Sequence, residues 1–226
     1  LPDDEGLAAL DGVVWTGSSL TIHHDDDPRV RRQVDFARAA YRAGVPGFGS
    51  CWAAQLAVVA AGGRCAASPR GREFGVSRRI ALSDAGKAHP LFAGKPAVFD
   101  GLTSHQDEVV ELSGGSELLA SNAWSRVQAV SVSHQRGRFW AVQYHPEYDL
   151  HEVASLCRLR ADELARQGSF PSEAAAERHA DRLDALHENP DDGELAAELG
   201  VGPDLLDPAL RTREVSNWLD SLRGEP

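Results

Sequence analysis

The 226-residue chain is long enough for one full core, and its 42% apolar and 25% charged content is ordinary for a globular protein. No apolar run approaches the roughly 20 residues needed to cross a bilayer, and a net charge of −11 repels phosphate backbones, which argues against membrane and nucleic acid. Three cysteines without a Cys-x-x-Cys spacing argue against a disulfide framework and a zinc site, and favour a reducing, cytoplasmic setting.

DGVVWTGSS, residues 11–19, reads as a buried strand running into a Gly/Ser loop. HHDDDP follows. His23, His24 and Asp25 to Asp27 have metal-binding chemistry, but a solvated loop with a helix N-cap before Pro28 is the better reading. Val30, Val34, Ala37 and Tyr41 then recur at helical spacing until Gly44. VPGFGSC predicts a second short strand, and WAAQLAVVAAGG a helix apolar on nearly every side, closed by Gly62 and Gly63. Strand, helix, strand, helix with short joints is the pattern of an α/β fold with a parallel sheet.

The middle of the chain changes character. In EFGVSRRIAL, residues 73–82, Phe74, Val76, Arg78, Ile80 and Leu82 alternate with their neighbours, as in a regular half-exposed strand. VQAVSVSHQRGRFWAVQYH predicts two strands joined at a Gln-Arg-Gly-Arg turn, hence antiparallel additions to the sheet. After His151 the pattern is helical, with one helix from residue 172, a turn at NPDDG, and a single last helix over residues 208–222. Of the net charge, −2 falls on residues 1–150 and −9 on residues 151–226. Residues 1–168 therefore read as one α/β unit and residues 169–226 as an acidic helical extension.

Chemistry concentrates at two places. In GSCWAAQ, Gly49 lies two residues before Cys51 and Ala53 two after, the small residues that a sharp strand-to-helix turn needs. A helix N-terminus favours a thiolate, and the Trp52 N–H would face a tetrahedral oxyanion. In QYHPEYD, His145 and Glu147 stand two apart; on a strand they share one face, so Glu147 can orient an imidazole whose other nitrogen faces a nucleophile. Alone, Cys51 also fits a buried inert cysteine and His-Pro-Glu a plain turn. Together they are a rarer coincidence.

Four segments occur in one order: VVWTGSS, GSCWAAQ, TSHQDEVVEL and QYHPE. In these, over roughly residues 10–165, the chain resembles the class I, triad-type glutamine amidotransferases, most of all the glutaminase domain of GMP synthases. The resemblance implies a flavodoxin-like, open, mostly parallel sheet in which VVWTG is the third strand. The chain begins only shortly before this strand, so the resemblance also implies a strand–helix–strand unit upstream; starting at Leu1 with no methionine, the chain reads as a trimmed or partial one.

By the same resemblance Cys51 is the nucleophile, His145 the base and then the acid, and Glu147 the orienting carboxylate. The amide of Trp52, with that of Gly17 or Ser18, forms the oxyanion hole. Gln55 holds the substrate's α-amino group, Ser104, Gln106 and Asp107 hold the glutamine head group, and His105 is structural. Ala53 replaces a usual glycine, and TGSS replaces a double-glycine loop. The implied reaction is hydrolysis of the glutamine side-chain amide to glutamate and ammonia, with no cofactor and no metal. The chain has no P-loop and no dinucleotide fingerprint, so the ammonia would go to a partner synthetase or be released. Two other readings stay open: a γ-glutamyl hydrolase or peptidase on the same fold, and a silent subunit that binds through its acidic tail.

Overall fold

The computed structural model describes residues 4–224, which open on helix α1 (Asp4–Ala8) and strand β1 (Val13–Trp15). The Asp27 carboxylate accepts from the Arg29 N–H and starts helix α2 (Pro28–Ala43), with Pro28 in its first turn and Gly44 at φ 81° closing it. Val30, Val34, Ala37 and Tyr41 are its buried stripe, as their spacing predicts. Strand β2 (Gly47–Ser50) pairs parallel with β1 and turns at Cys51 into helix α3 (Trp52–Ala60). Nearly every side chain of α3 is buried, since the main sheet, α2 and a small second sheet surround it.

The chain then lays down β3 (Arg64–Ala67), β4 (Glu73–Leu82), helix α4 (Asp84–Ala88) and β5 (Val98–His105). β6 (Asp107–Glu111), β7 (Ser116–Ser121), β8 (Ala129–His134) and β9 (Gly137–Val142) follow. β3 and β6 make the small antiparallel sheet; the other strands form one sheet in the order β1-β2-β9-β8-β7-β4-β5. β1, β2 and β9 run parallel, and the additions from β8 to β5 are antiparallel. The fold is α/β with a mixed sheet that is parallel where the corner at Cys51 is built. β8 and β9 form the expected hairpin, with Gln135 at φ 52° in its turn.

β4 departs from the regular alternation. Its register shifts between Ser77 and Ile80, with Arg79 at φ 51°. Glu73, Gly75 and Ser77 are buried before the shift, Ile80 and Leu82 after it. The bulge moves the buried phase by one residue, so Phe74 and Val76 turn to the opposite face, against the C-terminal helices.

Those helices are α5 (Leu150–Leu159), α6 (Ala161–Arg166), α7 (Glu173–Glu188), α8 (Gly193–Leu199), α9 (Pro203–Leu206), α10 (Pro208–Arg211) and α11 (Arg213–Leu222). Asp192 in the NPDDG turn caps α8 by accepting from the Leu195 N–H. The single helix expected over 208–222 is broken at Thr212, whose Oγ1 donates back to the Pro208 carbonyl at 2.8 Å. Ala176, Ala180, Leu183 and Leu186 of α7 share a core with Val153, Ala154 and Cys157 of α5. Trp218 of α11 stacks on Phe48 of β2, ring centroids 5.6 Å apart. Among the described residues no helix is long and apolar enough to cross a membrane.

Candidate active site

β2 and β9 are parallel neighbours, so their C-terminal ends open on the same edge of the sheet. The Cys51 N–H donates to the Val142 carbonyl at 2.8 Å, which carries the ladder one residue beyond β2. Cys51 then turns at φ 52° and ψ −102°, a strained corner for a residue with a side chain. A Cβ on Gly49 would lie 2.2 Å from the Trp15 carbonyl oxygen and 2.5 Å from the Ala53 methyl. The missing Cβ at Gly49 is what leaves room for Ala53.

His145 lies beyond the end of β9, so strand pleating is not what brings it to Glu147. A turn through Pro146 does. The His145 N–H donates to the Leu102 carbonyl at 2.7 Å, and its Nδ1 donates to Glu147 Oε1 at 2.7 Å. The same carboxylate oxygen accepts from Ser50 Oγ at 2.7 Å, tying the corner to the histidine loop. The Tyr148 ring lies flat on the imidazole, centroids 3.8 Å apart and planes 3° apart. Ser50 and Tyr148 were missed in the sequence; adjacency to Cys51 and Glu147 was their only signal.

The loop after β1 closes on the same point. A Cβ on Gly17 would lie 2.9 Å from His145 Cε1. Among the described residues the N–H groups of Gly17, Ser18 and Trp52 donate to no backbone carbonyl outside regular structure. Ser18, Cys51 and Trp52 border a cavity of about 320 Å³, together with Gln55, Ser104, Gln106 and Asp107. Cys51 Sγ is 3.8 Å from the Ser104 carbonyl oxygen. Gln55 Nε2 donates to the Asp107 carbonyl at 3.1 Å, so its amide nitrogen ties α3 to β6. Ser104 Oγ is buried without a partner. His23, read from sequence as part of a solvated loop, also borders the cavity, with Nδ1 3.6 Å from the Asp107 carboxylate.

His105 Nδ1 donates to the Asp107 carbonyl at 2.9 Å and Nε2 to Glu73 Oε2 at 2.8 Å. Buried Glu73 accepts in addition from Ser77, Asn122 and Gln128, which anchors the corner between β5 and β6. Burial alone would raise the Glu73 pKa; the His105, Ser77 and Asn122 hydrogen bonds outweigh it and hold the carboxyl below its ordinary value. A lone acid on a strand gave no hint of this. Among the described residues no group of three or more His, Cys, Asp or Glu is placed to hold a metal ion.

Residues 23–157 match the family described as Glutamine amidotransferase class-I. The chain belongs to this family. It is 35% identical over 219 residues to the γ-glutamyl-L-1-hydroxyisopropylamide hydrolase of a Pseudomonas species, covering 96% of this chain and 74% of that protein. It is 33% identical over 136 residues to the glutamine-hydrolysing GMP synthase of Thermomicrobium roseum, covering 60% of this chain and 23% of that protein. The chain thus spans under a quarter of that GMP synthase. A glutamine amidotransferase structure from Methylobacillus flagellatus superposes with a TM-score of 0.68 at 18% identity, covering 95% of this chain and 78% of that one. At that identity the likeness concerns the fold.

The candidate site has distinctive electrostatics. Burial disfavours a charged His145, but hydrogen bonds to Cys51 and Glu147 outweigh it and push its pKa up to about 9. Burial likewise opposes the Glu147 charge, and the His145 and Ser50 hydrogen bonds still hold the carboxyl below its ordinary value. Burial pushes the other two thiols up, Cys65 to about 12 and Cys157 to about 11. Iodoacetamide near neutral pH is therefore expected to label Cys51, which borders the cavity, well before Cys65 or Cys157. Peptide mapping reads the order, and equal labelling of all three would remove Cys51 from the nucleophile's place.

Proposed function

We propose that this chain hydrolyses γ-glutamyl amides through a thioester on Cys51. The observation that carries the reading is Cys51 on its strained corner, facing a cavity, with His145 held by Glu147 beside it. The thiolate attacks the γ-carbonyl carbon, and the oxyanion rests on the Trp52 amide with that of Gly17 or Ser18. The imidazolium gives its Nε2 proton to the departing nitrogen as the C–N bond breaks. His145 Nε2 then takes a proton from water, the hydroxide attacks the thioester, and glutamate leaves as the thiolate reforms. Glu147 keeps Nδ1 as the donor throughout.

The match to a γ-glutamyl amide hydrolase runs through the C-terminal helices and supports a self-sufficient hydrolase acting on N-substituted γ-glutamyl amides. The match to a GMP synthase favours a second reading, a glutaminase whose ammonia passes to a partner synthetase. Incubating the full chain with glutamine and with γ-glutamylethylamide separates them. Faster release of ethylamine supports the first, faster release of ammonia the second, and no glutamate from either refutes both.

Because His145 keeps its proton to about pH 9, kcat/KM is expected to fall about tenfold per pH unit above that value, as the acid for the leaving group is lost. The folded pKa lies above the ordinary 6.5, so the stability this proton contributes is complete below pH 6.5 and lost as pH rises through about 9. In Glu147→Gln the alkaline limb moves to lower pH, since a partner that favours the imidazolium is gone. A pH–rate profile unchanged by that substitution would contradict the assigned role.

A further inference from the structure

Two guanidinium groups border the same cavity as Cys51 and take no part in the steps above: Arg72, just before β4, and Arg160, between α5 and α6. The Arg72 side chain is 9% exposed. One of its terminal nitrogens donates to Glu163 Oε1 at 2.9 Å and to Gln106 Oε1 at 3.2 Å. An Arg160 terminal nitrogen lies 3.9 Å from Glu163 Oε2. A single carboxylate thus bridges both arginines, and one positive charge is left over. The Nε–H groups of both arginines are buried with no partner. Buried donors without acceptors are uncommon, because each loses its water and gains nothing in return.

The opposite charge lies elsewhere in the cavity. Asp107 is the only carboxylate among the described lining residues. The cavity therefore offers one anion and, after the Glu163 pairing, one net positive charge on the two arginines, with Gln106 touching Arg72 and adjoining Asp107 in sequence. A γ-glutamyl amide carries an ammonium and a carboxylate at its α-carbon, and a γ-glutamyl peptide carries a second carboxylate on its amine.

We propose that Arg72 and Arg160, braced by Glu163, form a carboxylate subsite that selects the substrate; this rests on the hydrolase reading above. Arginine suits the task, since its planar fork pairs with both oxygens of a carboxylate. The carboxylate is the substrate's α-carboxylate or one on its amine, and the same experiment separates these two sources.

Steady-state kinetics would be measured for the full chain, Arg72→Lys and Arg160→Gln, with thermal melting to verify the fold of each. The four probes are glutamine, γ-glutamylethylamide, γ-glutamylglycine and 4-aminobutanamide, which is glutamine without its α-carboxylate; Ki replaces KM where turnover is too slow. Loss of a charge-assisted pair should raise KM roughly 10- to 100-fold with little change in kcat. If the α-carboxylate is held, KM rises for the first three probes and not for 4-aminobutanamide. If an amine-borne carboxylate is held, only γ-glutamylglycine is affected. An unchanged KM for every carboxylate probe, or an equal rise for 4-aminobutanamide, would overturn the subsite. Calorimetric binding of γ-glutamylglycine to Cys51→Ala, with and without each arginine substitution, reads the subsite without turnover. If no γ-glutamyl amide is hydrolysed yet binding still depends on the arginines, the hydrolase reading falls and the subsite stands.

Discussion

Cys51→Ala should lower kcat for γ-glutamyl amide hydrolysis by roughly 10⁴-fold or more, because without the thiolate no thioester forms. Other hydroxyls border the cavity, among them Ser18 and Ser104, but none stands on the corner at the head of α3. His145→Ala should come close to the same loss, since it removes both the acid for the leaving nitrogen and the base for water. Glu147→Gln should lose less, roughly 10²-fold, because Glu147 only orients and stabilises the ring while the Tyr148 stack and the Leu102 carbonyl keep it in place. Rates would be followed by glutamate release, and mass spectrometry of quenched wild-type protein would look for a γ-glutamyl adduct on Cys51. Undiminished hydrolysis by Cys51→Ala would end the thioester mechanism.

The second large effect is on stability. Glu214 of α11 is wholly buried and paired with the buried Lys95 Nζ at 2.8 Å, and it also accepts from the Tyr144 hydroxyl. Lys95 Nζ donates further to the Leu210 carbonyl at 3.0 Å and lies 4.5 Å from the centre of the Phe99 ring. Glu214→Ala leaves the Lys95 ammonium buried without its counter-ion, with the Leu210 carbonyl still accepting from it, and the Tyr144 phenol buried without its acceptor. Breaking a buried ion pair in this way costs about 3–5 kcal/mol. For a chain of this size that corresponds to a fall in Tm of roughly 6–20 °C. Glu214→Gln, which keeps an acceptor for Tyr144, should lose less than Glu214→Ala. Tyr144 immediately precedes His145, so hydrolysis should fail at a lower temperature in both variants. A Glu214→Ala protein that melts with the wild type would show that this contact does not hold the C-terminal helices to the sheet.

The same contact shows where reading the chain runs out. All the motifs lie before residue 165, and nothing in REVSNWLDSL suggests that its glutamate reaches a residue next to His145. Glu214 and Lys95 are 119 residues apart, Ser50 and Glu147 97, Arg72 and Glu163 91. No periodicity or spacing rule spans such distances. The regular alternation expected of β4 fails for a related reason. The bulge at Arg79 lets one strand serve two cores, the sheet interior and the C-terminal helices, and either core alone would favour an unbroken pattern.

What the sequence determined by itself was local. Asp27, Pro28 and Gly44 set the ends of α2 through capping, a fixed φ and a left-handed turn, and each acts within a few residues. Gly49, Cys51 and Ala53 specified the corner, because backbone crowding there admits only small neighbours. The nearness of Cys51 to His145 was inferred from motifs, whereas the tertiary structure supplies its physical cause: β2 and β9 are parallel neighbours ending on the same edge. Only that structure decided which groups surround the site, among them Ser50, Tyr148, His23, Arg72 and Arg160. Their roles come from where strands and helices pack, and packing depends on the whole core rather than on any short stretch of chain.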